Sequence, residues 1–138
     1  MDSFEKKLTW EYLDERFLEI FKTRKFRFDN WIEQLELKHG KIAWQKLVNW
    51  EDLEDSEILK SFEDIELFAG KLYAITDLSN IKACGPFEIG EDNIFRFALE
   101  YYNYFGECFF DGDVIILSLD TKKAWIFHHE GAYAVSKL

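Results

Sequence analysis

Proline is nearly missing from this sequence: it occurs once, at Pro86, and no stretch rich in glycine and serine accompanies it. A chain without such a stretch offers no interdomain linker, so residues 1–138 are expected to form a single domain. Cysteine is scarce as well. Cys84 and Cys108 stand 24 positions apart with no CxxC pair, which fits reduced thiols in the cytoplasm better than a disulfide scaffold. No window approaches the roughly 18 uncharged apolar residues of a membrane-spanning helix. The N-terminus has neither the apolar core nor the small-residue cleavage site of a signal peptide. GxxxxGK[ST], GxGxxG and GxSxG patterns do not occur, and no segment repeats at a period of roughly 20–50 residues.

What is abundant is aromatic and acidic. Phe, Tyr and Trp make up 18% of the residues, too many for a disordered acidic chain and enough, with the aliphatic residues, to bury a core. The net charge is −10, and its distribution is uneven. Residues 1–50 carry nine acids and ten bases, residues 51–66 eight acids against Lys60 alone, and residues 67–138 ten acids and six bases. The acidic run EDLEDSEILKSFEDIE also contains Leu53, Ile58, Leu59, Phe62 and Ile65, so it reads as a folded segment with one apolar and one negative face. Such a face repels phosphate and attracts basic surfaces.

Spacing along the chain gives an α+β reading. Trp10, Leu13, Phe17, Ile20 and Phe21 recur at helical steps, and the run Lys22, Arg24, Lys25, Arg27 suits a helix C-terminus. Asn30 and Glu33 resemble a capping box that opens a helix stopped by Gly40. Ile42, Leu47 and Val48 predict a further helical piece up to Trp50. Ser56 is the expected N-cap of a short helix bearing Ile58 and Leu59. The stretch ELF-AG-KLYAI reads as two short strands around a turn, and Gly85-Pro86 as a loop. Asp92 is placed as the cap of a helix that runs through Ile94, Ala98 and Tyr102 to Gly106 and is apolar nearly all round, as a buried or interface helix is. VIILSL, the turn Asp120-Thr121-Lys122 and AWIFHH form a hairpin, with AYAV after Gly131 as a third strand. The expectation is a helical N-terminal half and an antiparallel sheet in the C-terminal half, with the aromatic-rich helix packed on it.

Groups suited to chemistry are few. In a strand, His128 and Glu130 share a face and His129 does not, so His128 and Glu130 with Asp113 form the candidate metal set of a small hydrolase. Their spacing matches no established zinc pattern. Cys108 lies among phenylalanines with no histidine partner in view, as a small core residue does. No cofactor and no catalytic group is implied. Nucleic-acid binding is disfavoured by the net charge despite the basic run.

The favoured working surface is therefore the acidic segment: Trp50 as an aromatic anchor, with Trp44 as a second candidate, and Glu51, Asp52, Glu54, Asp55, Glu57, Glu63 and Asp64 facing a basic protein partner. Homodimerisation through the aromatic helix is the competing use of an exposed surface. The segment FFDGDVIILSLDTKKAWIFHHEG, with Gly112-Asp113 before a strand, a short turn, and an aromatic strand containing Trp125 and ending in His129-Glu130, resembles the SUKH superfamily of immunity proteins from bacterial polymorphic toxin and contact-dependent inhibition systems. The resemblance spans residues 106–131. It implies a cytoplasmic inhibitor that binds a cognate toxin, often a nuclease, and it supplies no catalytic residues.

Overall fold

A computed structural model of the protein describes Glu15 and residues 28–61, 72–76, 86–89, 94–119 and 121–137. The expected first helix (apart from Glu15, which is helical), the basic run Lys22–Arg27, the ELF-AG segment, Cys84, Gly85, Asp92 and Asp120 lie outside these residues. In chain order the described elements are α1 (Phe28–His39), β1 (Gln45–Lys46), a 3₁₀ turn (Trp50–Asp52), α2 (Asp55–Ser61), β2 (Leu72–Ile75), β3 (Phe87–Ile89), α3 (Ile94–Phe105), β4 (Val114–Ser118), β5 (Lys123–His128) and β6 (Ala132–Lys137). The six strands form one antiparallel sheet in the order β1-β6-β5-β4-β2-β3. The mixed α+β class and the C-terminal hairpin with its third strand agree with the sequence reading. Among the described residues no helix is long and apolar enough to cross a membrane.

The near-continuous apolar run of β4 finds its reason here. All five of its residues are buried, because the sheet is covered on both faces. On one face Ala74, Phe87, Val114, Ile116, Trp125 and Phe127 pack against Ile58 and Leu59 of α2 and Phe97, Ala98 and Tyr101 of α3. On the other, Tyr73, Ile75, Ile115, Leu117 and Ile126 pack with Leu35 and Ile32 of α1. The first face is densely aromatic: Phe97, Tyr101 and Phe109 meet pairwise with ring centroids 5.5–6.2 Å apart. Edge-to-face and tilted pairs of this kind add to simple burial. The Tyr101 hydroxyl is satisfied by Thr76 Oγ1 at 3.0 Å, so its polar tip is not stranded in this layer.

Several local expectations fail for identifiable reasons. The helix begins at Phe28, so Asn30 sits inside its first turn and is not a cap. Gly40 does stop it, at φ +91 with its N–H donated to the Glu36 carbonyl at 2.8 Å. The helix expected over Ile42–Trp50 is absent, and the chain runs instead as the short strand β1. Tertiary pairing overrides local pattern: Gln45 and Lys46 align with Tyr133 and Ala132 of β6, and the Leu47 N–H donates to the Gly131 carbonyl at 2.7 Å. The described part of the first half is thus not wholly helical. Ser56 is not an N-cap either, since α2 starts at Asp55. Glu54 precedes the helix, its carbonyl accepts from the Glu57 and Ile58 N–H groups, and the Glu57 carboxylate reaches back to the Glu54 N–H at 3.1 Å. This is the glutamate half of a capping box. Finally, β2 has β3 and β4 on its two sides, Ala74 aligning with both Phe87 and Ile116. The strand Phe87–Ile89, too short to carry a period, escaped the sequence reading.

Candidate functional site

The described part of the acidic segment, residues 51–61, follows Trp50, which packs on Phe127 near the end of the sheet where β4 begins and β5 ends. Asn49 turns the chain in the left-handed region (φ 57), a conformation asparagine tolerates better than most residues. Trp50, Glu51 and Asp52 follow in the 3₁₀ turn. Glu51, Asp52, Glu54 and Glu57 are exposed, as the sequence reading requires. Glu63 and Asp64 lie outside the described residues.

Two members of the expected surface have other roles. Trp50 is half-buried, its ring 5.4 Å from Phe127 in a T-shaped contact and packed on the main core. The indole lies over Gly131, in the space that a side chain there would need. It is a wedge that fixes the 3₁₀ turn to the β5–β6 turn, not a free anchor. Trp44 is 37% exposed and sets its edge against His128 with ring centroids 6.1 Å apart.

Asp55 also turns inward. Its two carboxylate oxygens accept the backbone N–H groups of Phe109 and Phe110, at 2.9 and 3.2 Å. The carboxylate thereby clamps α2 to the loop that follows α3, across a sequence separation of more than 50 residues. Burial raises its pKa above the ordinary value of 3.8, the two N–H donors oppose that, and the neighbouring charges of Asp111 and Glu54 add to it. Cys108, exposed and unpaired in a disulfide, has its thiol pKa raised by burial of the sulfur and by Asp55 and Asp111. A thiol held protonated is a poor nucleophile; the small core residue expected at this position is instead exposed, because only Phe109 and Phe110 of this stretch turn into the core.

Beside the acidic turn lies an open groove of about 470 Å³ whose apolar walls are Leu53, Phe95, Ala98, Leu99, Tyr102 and Cys108. Helix α3 buries Ile94, Phe97, Ala98 and Tyr101 and leaves Leu99 61% and Tyr102 50% exposed. Its outer side is therefore apolar where it meets the groove, while Arg96 and Glu100 pair one turn apart at 3.1 Å on the exposed surface. Sequence periodicity showed this helix as apolar all round. Which residues face the groove depends on how Phe109 and α2 pack, and no local signal carries that.

The expected metal set is also rearranged. Strand β5 ends at His128, so the alternation that put His128 and Glu130 on one face stops there, and Glu130 falls in the turn. His129 takes its place. Asp113, His128 and His129 each bring a ligand-type atom within 4.8 Å of the others. Comparison with family models, curated proteins and solved structures finds no match.

Proposed function

We propose that this chain is a non-enzymatic binding protein for a basic protein partner, and that it acts as an immunity protein of the SUKH kind toward a cationic toxin domain. The observation that carries this reading is the adjacency of the exposed acids Glu51, Asp52, Glu54 and Glu57 to an open apolar groove. The acids speed encounter with a positive surface, and a groove walled by Leu99 and Tyr102 gives an apolar side chain of the partner a place to be desolvated. Phosphate groups are repelled from the same surface, so a nucleic acid is a poor ligand. The resemblance over residues 106–131 supplies the toxin as partner, and the cytoplasm as the place where neutralisation occurs.

The test is co-expression with the product of the adjacent gene, followed by co-purification at low and high salt. Retention at low salt and release at high salt are expected. The substitution Leu99→Asp, at an exposed position whose change leaves the core intact, is expected to weaken the complex by about tenfold by placing a charge in the groove. Failure of the adjacent gene's product to co-purify under any salt condition would overturn the reading.

A further inference from the structure

Asp113, His128 and His129 form a cluster that the partner reading does not use. We propose that these three side chains bind a divalent transition-metal ion, zinc foremost.

The placement follows from the sheet. Val114 and Phe127 are aligned across the β4–β5 ladder, so Asp113 and His128 are the next residues on the two strands at its open end. The turn then brings His129 back over Asp113. Oδ1 of Asp113 accepts both the His129 backbone N–H and ring Nδ1, each at 2.9 Å. A carboxylate that accepts from Nδ1–H leaves the lone pair on Nε2, the arrangement by which carboxylates orient imidazole ligands in metal proteins. Asp113 has a second oxygen to offer, since Oδ1 is the one that holds the ring. His128 lies against His129 with ring centroids 4.3 Å apart, and its Nδ1 accepts the Glu130 N–H at 3.2 Å. That bond is long enough for a metal at the same nitrogen to replace it.

The donor set chooses the ion. Two imidazole nitrogens and one carboxylate oxygen suit zinc, copper and nickel, whereas magnesium and calcium prefer oxygen alone. Three protein ligands also leave one position of a tetrahedral zinc open to water or to a partner's side chain. One ligand-type atom of each residue lies within 4.8 Å of the others, and zinc draws nitrogen and oxygen to about 2.0–2.2 Å. Closing that gap takes rotation of half-buried and exposed side chains at the rim, with the ladder beneath them unmoved.

Titration calorimetry of the intact protein with Zn²⁺ tests the site, with one ion bound per chain expected. His128→Ala, His129→Ala and Asp113→Asn are each expected to weaken binding at least about tenfold, and Glu130→Gln to leave it unchanged. Because the Asp113–His129 pair also ties the turn, imidazole ¹⁵N resonances of the unmutated protein give a second reading. Those of His128 and His129 should shift with Zn²⁺ while His39 stays fixed. Cu²⁺ should quench the Trp44 fluorescence, and the quenching should vanish in Trp44→Phe. The proposal is overturned if Zn²⁺ uptake is not saturable, if excess Mg²⁺ displaces the ion, or if the His128 and His129 resonances do not move.

Discussion

Gly131→Ala is expected to destabilise the protein by at least about 3 kcal/mol, a fall in melting temperature of roughly 10 °C. Two costs add. Gly131 sits at φ +87, where any L side chain is strained by about 1–2 kcal/mol. A Cβ there would also overlap Trp50 Cδ1 and stand 2.5 Å from Nε1, so the indole must leave its place against Phe127. Moving the indole loosens the 3₁₀ turn that carries Glu51 and Asp52, and it disturbs the Leu47 N–H bond to the Gly131 carbonyl. The effect should therefore reach β1 as well. Thermal unfolding measures the first effect, and amide exchange at Leu47 the second. A loss below about 1 kcal/mol would mean that Trp50 is not held there.

Asp55→Ala comes next, at about 2–4 kcal/mol, because it leaves the Phe109 and Phe110 N–H groups without their acceptor and each such loss costs about 1–3 kcal/mol. Asp55→Asn should fall between the two proteins, since an amide oxygen accepts one N–H while its own NH₂ opposes the other. The pH dependence has a definite sign. The native pKa is raised above 3.8 by burial, so the folded chain binds the proton more tightly than the unfolded one. The stability contributed by this group falls as pH rises from 3.8 through the native value, opposite to the usual salt-bridged carboxylate. Urea unfolding of the unmutated protein and Asp55→Asn across that window isolates it: the difference between the two should shrink as pH rises.

The C-terminal sheet was legible in the sequence because its determinants are local. The Gly-Asp before β4, the β-branched run VIILS and the turn before AWIF each predict the next few residues, and the near-continuous apolar pattern of β4 reports burial on both faces. Segments whose state is decided by distant partners were not legible. Residues 42–48 look helical by spacing, yet Gln45 and Lys46 among them pair with β6 as a short edge strand. Phe87–Ile89 is too short to show a period of two. At the candidate site, exposure of Glu51, Asp52, Glu54 and Glu57 followed from charge alone. The inward turn of Asp55 did not, because nothing near it in sequence announces the two N–H groups of Phe109 and Phe110. The packing of Trp50 was not legible for a similar reason. Its partner is a glycine 81 positions later, and a missing side chain leaves no mark in the pattern. In His128-His129-Glu130 one fact decided the ligand set: the strand ends at the first residue of the three.

The central claim, that the acidic turn receives a basic protein, is tested most directly by the association rate of the adjacent gene's product as a function of salt. The unmutated protein is compared with the triple variant Glu51→Lys, Asp52→Lys, Glu54→Lys. For the unmutated protein the rate should fall steeply with ionic strength, and at low salt the triple variant should associate at least about tenfold more slowly, with little salt dependence left. Equal rates for the two proteins at low salt would contradict the account.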